Sequence, residues 1–442
     1  MTRREADMLT YILDKTRSEP LYIQIYQHIR ADIELGNLPG GSRLPSKREL
    51  AVNLGVSVIT IENAYAQLID EGYVRSELKK GYFVEKIPAS ERPARPEPTS
   101  PSPVSASESE EEETGLFPFS VWAKLMREEL CYNQSGLMTR PPSEGVPALR
   151  EAIAKHLLSF RNMRVSAEQI VIGAGTEHLY IKLHLLLGAS CVMGVEDPGY
   201  PKIADIYQSL GHSCARIPME EDGVKLQPLY DSGVDALHIS PSHQFPTGAI
   251  TSIGKRYALL GWASEGRYIV EDDYDSEFRL SGKPIPSLFS IDVTDRVVYM
   301  NTFSKSLTPT IRISYMVLPG PLLERYHEKL SCYSCAVSAF EQYTLARFIS
   351  EGYFEKHIHR TRSFSKKRRD ALLAVVREDP ALKGAELSGA SAGMHCLVSP
   401  GDETPAETQL ARLRELGFQV VPIDEFYHVP TRGERPKFVV RY

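Results

Sequence analysis

Residues 302–307 read Thr-Phe-Ser-Lys-Ser-Leu, and Arg312 follows seven positions after Lys305. Hydroxyls stand three and one residues before the lysine, at Thr302 and Ser304. Hydroxyls and an arginine suit a phosphate, because a guanidinium presents several N–H donors in a rigid fork. A lysine beside such a site can attack an aldehyde and carry it as a Schiff base. The plain alternative is a solvated lysine at the end of an element. Arg296-Val297-Val298-Tyr299-Met300, just upstream, is an apolar run that reads as a buried strand.

A second group lies before it. Arg267-Tyr268-Ile269-Val270 reads as a short strand running into Glu271, Asp272, Asp273, Tyr274 and Asp275. Open α/β sheets bind ligands at the carboxyl ends of their strands. Alone, these acids also suit a metal ion or a solvated loop. Beside the lysine they suit pyridoxal 5′-phosphate (PLP), which is an electron sink only if a buried carboxylate keeps its pyridine nitrogen protonated. The two motifs together resemble the fold-type I aminotransferases. The resemblance implies that Lys305 holds PLP as a Schiff base, with Thr302, Ser304 and Arg312 beside it. Asp272 would pair with the ring nitrogen and Tyr274 with the phenolic oxygen.

The elements that must position these residues are also readable. Ile170-Val171-Ile172 is a strand leading through Gly173-Ala174-Gly175-Thr176 into a leucine-rich helix. A helix N-terminus has free N–H groups for a phosphate. Glycine turns serve packing as well, but in the resemblance Gly175 and Thr176 cradle the phosphate. Tyr200 would stack on the pyridine ring, or simply cover the core as a turn tyrosine. Residues 240–248 correspond to the Asn-Pro-Thr-Gly segment of aminotransferases, and Phe245 stands where the asparagine supports the phenolic oxygen. That argues for sensing rather than turnover, with His243 or Gln244 as candidates to compensate. Alternating strands and helices over 165–320 predict a largely parallel sheet with helices on both faces. A smaller α+β lobe should finish the chain. Arg441 falls near the position where this superfamily binds an amino acid's α-carboxylate. The basic residues of 357–369 read as a solvated helix face, and Cys332 and Cys335 as packing.

The front of the chain has a different pattern. Leu21, Ile25, Ile29 and Ile33 recur every four residues, so 20–35 is an amphipathic helix ended by Gly36. Ser46 and Glu49 form a capping box that starts a second helix. Gly55 ends it, and Ser57 caps a third helix with Ile61, Ala64 and Leu68 inward. Two short helices joined by a glycine turn read as a helix-turn-helix. Tyr73-Val74-Arg75 and Tyr82-Phe83-Val84 flank Lys79-Lys80-Gly81, a hairpin with a basic tip. In such a winged motif the third helix enters the major groove, presenting Ser57, Val58, Thr60 and Asn63. Lys47, Arg48, Lys79 and Lys80 would hold phosphates, and Arg43, Ser46 and Gly81 complete the expected DNA-binding residues. Over 11–86, ten Lys/Arg balance ten Asp/Glu, so the segment is not basic overall, and a helical bundle without DNA is the alternative. Gly41-Ser42-Arg43-Leu44-Pro45-Ser46-Lys47-Arg48-Glu49-Leu50-Ala51 and Glu71-Gly72-Tyr73-Val74 resemble the GntR-type winged helix-turn-helix. Val58 replaces an arginine frequent in that family.

Three segments follow: a DNA-binding head at 11–86, a Pro/Ser/Glu spacer at 87–115 and a PLP-binding domain at 116–442. The fold class is therefore multidomain. The combination resembles the MocR/GabR group of regulators. That resemblance implies a head-to-tail homodimer that binds double-stranded operator DNA and senses a small amine, an amino acid or PLP itself. A working aminotransferase carrying a DNA-binding domain is the alternative. The net charge of −6 argues against a chain that is basic throughout. No apolar run reaches 18 residues, so no membrane span is expected. Six scattered cysteines suit a reducing cytoplasm.

Overall fold

Leu21–Leu35 (α1), Lys47–Leu54 (α2) and Val58–Asp70 (α3) pack their periodic apolar residues into one core. Ile25, Ile29, Ile33, Leu50, Ile61, Tyr65 and Leu68 are all buried in it. Each such side chain contributes about 1.5–3 kcal/mol by leaving water. Ser46 accepts from the Glu49 amide and the Glu49 carboxylate accepts from the Ser46 amide, which closes the expected capping box. Gly55 then turns left-handed, with φ of 65°, and the chain re-enters a helix at Ser57. Val74–Glu77 (β1) and Gly81–Val84 (β2) form the antiparallel wing.

The computed structural model describes residues 9, 11, 13–14, 20–77, 80–86, 116–280, 285–390, 392–428 and 436–442. The expected spacer at 87–115 and Lys79 lie outside them. The chain divides into units spanning Met1–Val104 and Ser105–Tyr442.

In the second unit one sheet carries the strands Ile170–Gly173 (β3), Met193–Asp197 (β4), Cys214–Glu220 (β5), Gly223–Val224 (β6), Ala236–Ile239 (β7), Tyr268–Asp272 (β8), Val297–Thr302 (β9) and Ser314–Val317 (β10). Their order is β3-β10-β9-β8-β7-β4-β5-β6. The run from β9 to β5 is parallel, as expected. β10 departs from that expectation: it inserts antiparallel between β3 and β9. β8 and β9 are buried along their whole length because helices cover both faces of the sheet. Helices 147–161 and 339–350 contribute to one apolar cluster, and helices 176–187 and 320–330 to another.

Glu386–Ser388 (β11), His395–Ser399 (β12), Gln419–Pro422 (β13) and Phe438–Arg441 (β14) form a separate antiparallel sheet in the order β11-β12-β14-β13. It is the anticipated smaller lobe. Helix 353–378 carries the basic run, and its charges divide. Lys366 and Lys367 are exposed. Arg362 instead donates to the Glu277 carbonyl and lies over Phe160.

Candidate functional site

Parallel pairing of β8 with β9 sets Asp272 opposite Met300, two residues before Thr302. The acidic strand end and the lysine turn therefore meet at neighbouring carboxyl ends of one sheet. Asp272 is buried. Its Oδ2 accepts from Tyr180 Oη at 3.3 Å and faces His238 Nε2 at 3.4 Å. His238 Nδ1 lies 3.0 Å from the Tyr207 hydroxyl. Asp272 Oδ1 has no partner. A buried carboxylate oxygen left unpaired costs several kcal/mol unless a ligand donor meets it. Thr302 Oγ1 accepts from the Ser304 amide at 3.1 Å and the Ser314 hydroxyl at 2.8 Å. Ser304 Oγ is buried and unpartnered. Lys305 is exposed at the end of the short helix Phe303–Ser306.

The glycine turn comes to the same place. Gly175 has a φ of +84°, and a Cβ there would stand 2.8 Å from the Arg312 guanidinium carbon. Only glycine lets that side chain lie across the turn. Helix 176–187 begins at the next residue. Arg312 itself has a φ of 49°, an uncommon backbone state for a residue with a side chain. Its Nη2 lies 3.6 Å from Glu177 Oε2, and Glu177 also pairs with Lys202. Sequence reasoning missed Glu177 and Lys202. An acid in the first turn of a helix reads as ordinary dipole compensation.

Tyr274 donates to the His243 carbonyl at 3.2 Å. His243 Nδ1 faces Asp275 Oδ2 at 2.8 Å, and its ring lies 4.3 Å from that of His395 on β12. His395 is held far below the usual histidine range, first by burial and then by the charges of His243, Arg441 and Lys305. Arg441 lies over the Phe245 ring at 5.8 Å. Tyr200, 48% exposed, meets the same ring edge-on at 5.9 Å. Arg441 and Tyr200 thus share Phe245 as a neighbour. Gln244 is not available in place of the missing asparagine. Its amide nitrogen bonds Pro198 O at 2.9 Å and its oxygen accepts from the Thr247 amide at 3.0 Å.

In the head, Ser57, Val58 and Asn63 are exposed and Thr60 is partly buried. Val58 is 42% and Ile59 67% exposed, so the start of α3 is more apolar than the residues singled out from sequence. Ser57 Oγ caps the helix through the Thr60 amide at 3.1 Å. Arg48 is exposed, whereas Lys47 pairs with Glu62 at 2.6 Å and Lys80 with Glu77 at 3.0 Å. The Arg43 side chain lies against Gly81. Nearby acids thus hold two of the expected cations, which the linear sequence did not suggest.

Fold and site together define a GntR-type DNA-binding head joined to an aminotransferase-like domain. Residues 21–84 match the bacterial regulatory proteins of the gntR family, and 107–434 match aminotransferase class I and II. The chain is 36% identical to the HTH-type transcriptional regulator YdeL of Bacillus subtilis, over 96% of this chain and 94% of the relative. It is 32% identical to the probable rhizopine catabolism regulatory protein MocR of Rhizobium meliloti, over 83% and 79%. It is 29% identical to the pyridoxine biosynthesis transcriptional regulator PdxR of Corynebacterium glutamicum, over 91% and 88%. An archaeal alanine:glyoxylate aminotransferase superposes with a TM-score of 0.64 at 26% identity, over 74% of this chain and 83% of that one. A kynurenine aminotransferase of Pyrococcus horikoshii, solved with PMP, gives 0.62 at 25%, over 77% and 90%. The chain belongs to the MocR-like HTH-type transcriptional regulators. Among the described residues no helix is long and apolar enough to cross a membrane.

Proposed function

We propose that this regulator holds PLP at Lys305 and that an amine or amino-acid effector, reacting there, changes how the head binds its operator. The observation that carries the reading is the pair of buried, unpartnered oxygens, Asp272 Oδ1 and Ser304 Oγ, at the strand ends beside Lys305. They fit a pyridinium N–H and a phosphate. Bound there, PLP supplies an aldehyde that condenses with primary amines and a ring that withdraws electrons. Asp272 keeps the ring nitrogen protonated, and Tyr180 and His238 hold its other oxygen. Tyr274 positions the phenolic oxygen once its hydroxyl turns from the His243 carbonyl to which it donates here, and Tyr200 covers the ring. Gly175, Thr176, Thr302, Ser304 and Arg312 bind the phosphate. Arg441 takes the effector's carboxylate.

In the head, Ser57, Val58, Thr60 and Asn63 face bases while Arg43, Ser46, Lys47, Arg48, Lys79, Lys80 and Gly81 follow the backbone. A homodimer places two heads on two half-sites. A monomeric mass at working concentration would count against that assembly.

The test is the near-ultraviolet and visible spectrum of wild type and Lys305→Ala with PLP, before and after a panel of amines, read beside operator affinity. The expected result is a band in wild type alone, altered by one amine that also shifts operator affinity. A wild type without a band sinks the cofactor reading. Steady release of keto acid from an amino donor would mark the chain as an enzyme instead.

A further inference from the structure

Glu177 is a carboxylate inside a cradle built for an anion. It lies in the first turn of helix 176–187, beside Gly175 and Thr176. Its two oxygens are divided between two cations. Oε1 pairs with Lys202 and Oε2 lies 3.6 Å from Arg312. Lys202 first and Arg312 second hold its carboxyl below the usual range, so it is ionised at neutral pH. The positive end of the helix favours it there as well. Arg312 and the helix start at Gly175 and Thr176 are the groups that the cofactor reading assigns to the phosphate.

We propose that Glu177 is a built-in counter-ion that competes with the cofactor's phosphate for Arg312 and the helix N-terminus, so that cofactor affinity is set below what the cradle alone would give. The inference rests on the PLP reading and goes beyond it. A phosphate entering the cradle draws Arg312 away from Glu177 and then sits beside a like charge. Lys202 limits the cost, because it keeps hold of the displaced carboxylate. Cofactor occupancy then follows cofactor supply. All three side chains are about half exposed, with 44% for Glu177, 50% for Arg312 and 53% for Lys202. Water therefore screens the competition to a modest size, roughly two- to fivefold in affinity.

The experiment titrates the full-length protein with PLP and, separately, with pyridoxal, which lacks the phosphate. Wild type, Glu177→Gln and Lys202→Met are followed by the Lys305-dependent absorbance band. Glu177→Gln is expected to lower the dissociation constant for PLP about two- to fivefold and leave that for pyridoxal unchanged. Lys202→Met is expected to raise it for PLP alone, since Glu177 then rests on Arg312 undivided. An unchanged PLP constant in Glu177→Gln overturns the proposal, as does an equal shift for pyridoxal, which would signal a general change in the site. A wild type that gives no band with either compound overturns the cofactor reading and this inference with it.

Discussion

The two units pair charges at their surfaces alike and differ in what they bury. In the head, charges pair at the surface: Arg30 with Glu34 at 2.8 Å, Lys47 with Glu62 at 2.6 Å, Arg75 with Glu77 at 3.1 Å. Ser42 Oγ is the head's single buried unpartnered side-chain atom among the described residues. In the larger unit the carboxylates of Glu271, Asp272, Asp273 and Glu277 are buried within seven residues of chain, and three of them leave an oxygen unpaired. A surface that reads DNA needs no buried polar cost, because its partner is a charged polymer met in water. A site that holds a small charged ring must exclude water and present unmet partners in advance. Unsatisfied burial therefore marks one site and leaves the other unmarked.

The strongest way to break this contrast is Asp272→Ala. If its unpaired oxygen awaits a pyridinium, losing a buried charge-assisted hydrogen bond should weaken PLP binding by about 10- to 100-fold. Operator affinity without cofactor should be unchanged. A PLP titration by absorbance and an operator titration by fluorescence anisotropy check the two halves. Equal PLP affinity in the variant would mean that the orphaned oxygen is not the ring's partner.

What the linear sequence made legible was local. The capping box needs only Ser46 and Glu49, three residues apart, and it formed. The lysine turn and the acidic strand end are each one short segment, and both lie at strand ends as expected. What stayed hidden depends on contacts distant in the chain. Glu177 meets Arg312 only because β10 folds back antiparallel between β3 and β9, and no residue pattern announced that reversal. His395 reaches His243 from the other lobe. Gln244 looks free to replace an asparagine in the sequence, but its amide nitrogen is bonded to the Pro198 carbonyl, 46 residues earlier in the chain. Lys47 looked free for phosphate until α3 brought Glu62 beside it. Local propensity writes elements into sequence, whereas the occupancy of a polar group is settled by packing.

Glu277 sharpens the contrast from within the larger unit, because its Oε2 is also unpartnered but need not await a ligand. Burial pushes its carboxyl up to about 7, with Asp273 adding to the shift. A protonated acid there is neutral and costs less than a buried charge. An unfolded glutamate ionises near 4.5, so between that pH and about 7 the folded state holds the extra proton. Stability therefore falls as pH rises through this window, by no more than about 3 kcal/mol from this group. Glu277→Gln keeps the shape and cannot ionise. Its melting temperature should be less sensitive to pH between 5 and 7 (approximate bounds of the same window) than that of wild type. Identical pH profiles would show that the Glu277 carboxyl is not raised by burial in the fold.

The smallest effect belongs to the head, where Ser46 has two roles to separate. It caps α2 through the Glu49 amide at 3.2 Å, and it is exposed on the face expected to follow DNA phosphates. Ser46→Ala removes the cap and the hydroxyl together. It should destabilise α2 by about 1 kcal/mol, read as roughly fivefold faster hydrogen exchange of its amides in the full chain. Ser46→Asp restores a capping oxygen and adds charge at the positive end of the helix, so protection should return. The same charge faces phosphate and should lower operator affinity further than Ser46→Ala does. If Ser46→Asp recovers protection and DNA binding alike, the residue is a cap only and the phosphate path runs elsewhere on the head.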